Sequence, residues 1–167
     1  HLVPLLTDQG FSLEFATSVL MVLMVSGAFG RIFGGILGDR IGALPGYILM
    51  SLGQTIFVIW FPDLISPMII YLMAALFGFT YSGVMSSILV CTRMMVPANY
   101  GARAMSLTSF FGWIGMGLGG FLGGYFFDIY GNYNWAFTFA GLSGVINLII
   151  LSFFFLYIRR AEKLVFN

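Results

Sequence analysis

Charge is what this sequence has least of. Only 8% of its 167 residues are charged, whereas 60% are hydrophobic. A soluble domain carries about 25% charged residues, and a chain this short could not hide so much apolar surface from water. A water-soluble globule is excluded on that ground. Cysteine is nearly absent too. The lone Cys91 excludes an internal disulfide framework, and its apolar surroundings make it a small packing residue. The lone histidine, His1, has no partner at metal-ligand spacing. A net charge of +1 points to no nucleic acid or other acidic partner. No signal or transit segment precedes the first apolar run. The first residue is His1 and not Met, so the expectation is a piece of a longer protein.

What is there is apolar length. The 22 glycines and 19 phenylalanines suit membrane helices, where Gly is more frequent than in soluble ones. Charged residues punctuate the chain and leave uncharged stretches between them. These predict five transmembrane helices over approximately 13–38, 43–61, 67–92, 103–127 and 134–158. A helical span needs about 20 mainly apolar residues to cross a core of about 30 Å. Barrel strands would be shorter and would alternate polar with apolar; these stretches do not alternate. The fold class is therefore all-α, with every backbone polar group satisfied inside its own helix. The connections are short and contain no linker, so residues 1–167 form one unit.

Charge also predicts orientation. With sides numbered alternately, Arg40, Arg93, Arg103, Arg159, Arg160 and Lys163 fall on one side, and Arg31 lies nearest it. Asp8, Glu14, Asp63 and Asp128 fall on the other side, with no Lys or Arg. The positive-inside rule makes the basic side cytoplasmic. The N-terminus is then outside and the C-terminus inside, in a plasma (inner) membrane. An odd span count suggests that at least one span lies upstream.

The fourth stretch contains Gly115-Met116-Gly117-Leu118-Gly119-Gly120, which matches a dinucleotide fingerprint. That motif needs a preceding strand and an acid about 20 residues on. Both are missing, so no nucleotide cofactor is expected, nor any other cofactor or metal. The better reading is helix packing. Gly115, Gly119, Gly120, Gly123 and Gly124 repeat at four-residue spacing, which lets helices approach closely in lipid. A glycine-lined helix also suits one that slides or rocks.

Arg31 is the sharpest single residue. It stands eight positions before Asp39, roughly 12 Å inward along a helix. An arginine inside a span is costly and needs compensation. On a helical wheel it shares a side with Gly27, Gly34, Gly35 and Gly38, so it is expected to face protein or a wet cleft. A guanidinium there can hold a carboxylate by two parallel hydrogen bonds; the structural alternative is an arginine that snorkels to the interface. Gln54 and Asn147 also lie inside spans, where hydrogen bonding between helices is the usual reason.

The string Gly35-Ile36-Leu37-Gly38-Asp39-Arg40-Ile41-Gly42 joins the first two spans. Asp39 can sit at a helix N-terminus, Arg40 can serve a helix C-terminus, and glycine permits the tight turn. This Gly-x-x-x-Asp-Arg-x-Gly string resembles the loop between the second and third helices of the major facilitator superfamily, which recurs between the eighth and ninth. His1-Leu2-Val3-Pro4 with Thr7-Asp8-Gln9-Gly10, Gly30-Arg31, and Gly119-Gly120 through Asp128, Gly131 and Trp135-Ala136-Phe137 are similar to the C-terminal half of its monocarboxylate and oxalate/formate porter branch. The resemblance covers essentially the whole chain.

That resemblance implies a half-domain holding helices eight to twelve of a secondary transporter, with the N-terminal half of the same protein as a partner in the lipid bilayer. It implies a small organic anion, a monocarboxylate for preference, carried by alternating access. A coupled proton or counter-anion would accompany it. Arg31 would bind the carboxylate, and Gly35, Asp39, Arg40 and Gly42 would form a gating loop. Gly27 stands where proton-coupled carriers have an acid, and the fourth span lacks the lysine of oxalate-type exchangers. The alternative is a transport-inactive sensor or structural subunit of the same fold. An embedded enzyme is disfavoured, because the span interiors offer one arginine and no His or carboxylate. No catalytic residue is expected.

Overall fold

The computed structural model describes the backbone of residues 1–165 and the side chains of residues 1–160. The side chain of Lys163, expected on the basic side, lies outside the described residues. A short helix, α1 (Leu2–Asp8), precedes five long ones: α2 (Leu13–Ile41), α3 (Ala43–Trp60), α4 (Pro67–Met94), α5 (Gly101–Tyr130) and α6 (Asn134–Val165). Single 3₁₀ turns at Phe61–Asp63 and Ala98–Tyr100 complete α3 and precede α5. The five long helices, with their 3₁₀ turns, are long and apolar enough to cross a membrane.

The helix ends follow from local chemistry. Ser12 caps α2 by accepting a hydrogen bond from the Phe15 amide at 3.2 Å, and Glu14 stands in the first turn where the helix dipole favours an acid. Pro67 opens α4, where its missing N–H costs nothing. Gly131, at φ +67°, closes α5 in the left-handed conformation. The Asn132 side chain accepts from the Asn134 amide at 3.1 Å and starts α6.

The junction of α2 and α3 is tighter than the sequence suggests. Gly42 (φ +96°) alone separates the two helices. Asp39, Arg40 and Ile41 are helical and belong to the last turn of α2. Asp39 therefore does not sit at a helix N-terminus, as expected above, but at a C-terminus. The dipole there opposes an acid and favours Arg40 beside it.

Two buried clusters hold the bundle, one toward each end. Leu5, Leu6, Val19, Phe61, Ile70 and Tyr133 belong to the first. Leu44, Tyr47, Met50, Val84, Cys91 and Leu151 belong to the second. Alternation along the helices puts Asp8, Glu14, Asp63 and Asp128 at the end of the first cluster. It puts Arg40, Arg93, Arg103, Arg159 and Arg160 at the end of the second. Outward-facing side chains are large and apolar: Met21, Trp113 and Phe153 are 68%, 72% and 70% exposed. A soluble protein does not show contiguous apolar surface on this scale; lipid is the solvent that fits it.

Candidate functional site

The closest helix contact is a seam of small residues between α2 and α4. Gly27, Gly30, Gly34 and Gly38 are buried on α2. Gly30 lies against the backbone of Phe79, and Gly78 against the backbone of Leu23. A Cβ on Gly34 would sit 2.8 Å from the Gly83 carbonyl oxygen. Small residues let backbones meet like this, and dispersion and polar contacts then join helices that gain nothing from hydrophobicity in lipid. Two serines add polar links. Ser26 donates to the Ala75 carbonyl at 2.6 Å, and Ser87 to the Gly34 carbonyl at 3.5 Å.

Arg31 stands at the edge of this seam. At about 100° per residue, Gly27, Gly34 and Gly38 lie within about 60° of it on one side. Met24, Ala28 and Gly35 lie equally near on the other. The first set is buried, whereas Met24, Ala28 and Arg31 itself are exposed. A Cβ on Gly35 would meet nothing within 4 Å. The glycine side thus divides: half is sealed against α4, and the half that carries Arg31 is open. Among the described residues Arg31 has no ion pair or hydrogen bond. Asp39 and Arg40 are likewise exposed at the basic end of α2, two turns beyond Arg31. Gly42 turns the chain there, and Gly46 packs on Gly38 across the corner.

The glycines of α5 behave differently from those of α2. A Cβ on Gly115, Gly119, Gly120 or Gly124 would meet nothing within 4 Å. Gly123 is the exception and lies directly under the His1 ring, which also contacts the Gly120 carbonyl at 3.0 Å. Close helix packing through this face is therefore not made by the described residues, Gly123 apart. Near its basic end α5 is held by the Thr92 and Thr108 hydroxyls, 3.2 Å apart.

Two further features lie away from Arg31; the sequence gives no sign of the first, whereas Asn147 of the second was expected to bond between helices. One is a cavity of about 240 Å³ lined by Leu23, Val58, Phe61, Phe77 and Phe137, with His1 at its edge. It contains no part of Arg31; Leu23 is eight residues, about 12 Å along α2, nearer the acidic end. Because several helices contribute to it, no local pattern announces it. The other is a polar chain between α3 and α6. Asn147 donates to Ser51 at 3.1 Å and accepts from Tyr47 at 3.5 Å. Gln54, one turn from Ser51, has a buried side-chain oxygen without a partner among the described residues.

At the acidic end Tyr133 is buried, stacked on Phe127 at 4.7 Å and tilted against His1 at 5.4 Å. Burial pushes its phenol above the usual tyrosine range, and the charges of Asp8 and Asp128 push it further. Among the described residues no three His, Cys, Asp or Glu side chains gather to hold a metal ion.

Five spanning helices, apolar outer faces and basic side chains collected at one end define a polytopic α-helical integral membrane protein. The family model of the Major Facilitator Superfamily matches residues 2–166, and the chain belongs to that superfamily. Its members are membrane transporters and not enzymes. No curated protein and no solved structure matches the chain.

Proposed function

We propose that this chain is the C-terminal half of an alternating-access transporter for a small organic anion, of the monocarboxylate class. Arg31 is the observation that carries the reading. It is a permanent cation within a spanning helix, exposed on an open face, with no acid of the described chain to neutralise it. An intramembrane charge of that kind is retained where a pathway or ligand uses it. A guanidinium is matched to a carboxylate by two parallel hydrogen bonds. The sealed seam beside it would hold α2 rigid on α4 while the open side meets substrate.

The rest of the site follows from that placement. Asp39 and Arg40, with Gly35 and Gly42 flanking them, form the gate on the basic side, which is cytoplasmic by the positive-inside rule. The open glycine face of α5, Gly115, Gly119, Gly120 and Gly124, is where the N-terminal half approaches; rocking of the two halves exposes the site alternately to each side. A coupled proton or counter-anion would travel with the substrate.

The test is uptake of a labelled monocarboxylate by the intact protein in proteoliposomes. Arg31→Ala is expected to abolish uptake with insertion and yield unchanged. Arg31→Lys is expected to retain a small fraction, because a lysine is a point charge without the planar fork. Undiminished uptake by Arg31→Ala would overturn the role. Binding of the labelled acid without flux by the unmutated protein would favour a transport-inactive sensor instead.

A further inference from the structure

We propose that the Ser82 hydroxyl of α4 is a second substrate-binding group beside Arg31, donating a hydrogen bond to the carboxylate of the transported acid. This role depends on Arg31 being the anchor for that carboxylate, as proposed above.

The seam places Ser82. Helices α2 and α4 run in the same direction, each ending at the basic end with Arg40 or Arg93 in its last turn. Across the seam Gly27 meets the Ser82 side chain, and Gly34 meets Gly83 and Ser87. Arg31 lies between Gly27 and Gly34, so it stands at the level of the α4 turn that Ser82 begins. Gly27 is one turn, about 5.4 Å, before Arg31 and about 40° from it around α2. Gly30, about 100° from Arg31, meets Phe79 instead. Ser82 therefore borders the open half of the α2 face, and Phe79 the half turned away from Arg31.

The hydroxyl is unengaged, unlike its neighbours. Ser26 donates to the Ala75 carbonyl and Ser87 to the Gly34 carbonyl. The Ser18 and Tyr71 hydroxyls meet at 2.5 Å. On α4 itself, Thr80 and Thr92 donate to carbonyls four residues back, at 3.0 and 2.8 Å. Ser82 does neither among the described residues. Its oxygen is not sealed in either: Ser82 is half-buried, and the fully buried side-chain oxygen without a partner is that of Gln54. Packing against Gly27 would be met equally by alanine, which leaves no polar atom unpaired in hydrocarbon. A free, accessible donor one turn from a permanent cation suits an anion. An ionised carboxylate offers about four lone-pair sites. Two parallel bonds from the Arg31 fork leave others for Ser82, and the acid is then held from two helices that the glycine seam keeps rigid.

The test is concentration-dependent uptake of radiolabelled acetate, lactate and pyruvate by the intact protein in proteoliposomes. Ser82→Ala is expected to raise KM roughly tenfold, the order expected for losing a hydrogen bond to a charged group. The maximal rate should be nearly unchanged, as when binding alone is weakened. The melting temperature should not fall, because the hydroxyl holds nothing in the folded protein. Ser82→Cys, close in size and a weaker donor, should fall between. Ser87→Ala, on the sealed side, should show the reverse: a lower melting temperature and an unchanged KM. An unchanged KM in Ser82→Ala would overturn the proposal. So would a lower melting temperature and maximal rate with KM unaltered, which would make Ser82 a packing residue. Arg31→Ala, measured alongside, separates the two readings. Lost uptake there with a normal KM in Ser82→Ala removes Ser82 alone, whereas undiminished uptake there removes both residues from the site. Uptake of none of the three acids by the unmutated protein would overturn both readings.

Discussion

Gly30 of α2 rests on the peptide carbonyl of Phe79 of α4, with no room for a methyl group between them. The obstacle is backbone and not a flexible side chain, so an added Cβ must push the helices apart. Gly30→Ala is expected to destabilise the purified protein by about 1–3 kcal/mol, the usual range for overpacking. Gly35→Ala, five residues on, meets open space and removes a helix-weakening glycine. It should be neutral or stabilising, by up to about 1 kcal/mol. Loss of helical circular dichroism on heating in detergent reads both. Equal melting of the two variants would show that the seam is not tight.

The Asn147 amide joins α3 to α6 through Ser51 and Tyr47. Hydrogen bonds between membrane helices contribute modestly, about 0.6 kcal/mol on average by double-mutant cycles. Asn147→Ala, Ser51→Ala and the double variant are expected to give a coupling of that size. A coupling near zero would mean that the contact contributes geometry but not stability.

Gln54 makes the opposite prediction. Its buried oxygen has no partner among the described residues, and an unsatisfied buried polar group costs about 1–3 kcal/mol. Gln54→Leu, which keeps the approximate size without the polar atoms, is expected to raise the melting temperature. A fall in melting temperature would show that the amide has a partner in the intact protein.

Tyr133 has a pH signature. Its raised phenol pKa means that the folded protein holds this proton more tightly than the unfolded chain does. The corresponding stability is fully present below about pH 10, the ordinary tyrosine value. It is lost as pH rises through the higher folded value. Asp8→Asn and Asp128→Asn should each move the pKa back toward the ordinary value. Tyrosinate absorbance, taken as the difference from Tyr133→Phe, measures it. A titration unchanged in both variants would remove the carboxylates as causes.

The span pattern was legible because it is one-dimensional. Charged residues cannot lie cheaply in hydrocarbon, so Asp39–Arg40, Asp63, Arg93–Arg103 and Asp128 mark helix ends in any fold the chain adopts. The edges were blurred where helices run on past the charges. Asp39 and Arg40 fall between the two expected spans yet are helical, because an interfacial turn can keep its hydrogen bonds while its side chains reach water. Gly42 alone supplies the corner.

The packing faces were much less legible, and the glycines show why. Both α2 and α5 carry glycine at helical spacing, yet α2 buries Gly27, Gly30, Gly34 and Gly38 while α5 leaves Gly115, Gly119, Gly120 and Gly124 open. In water a buried face would announce itself by being apolar. In lipid every face is apolar, so the sequence has no contrast with which to mark the face that meets a neighbour. Membrane residence, five helices and one basic end were determined by the sequence itself, because each rests on the cost of placing charge or unpaired backbone in hydrocarbon; superfamily character was legible for a different reason, the Gly35–Gly42 string with its Asp39-Arg40 pair. The tertiary structure decided which glycines touch, that Arg31 stands at the open edge of the α2–α4 seam, and that Ser82 lies over Gly27. Those depend on contacts between residues distant in the chain, which local pattern cannot encode.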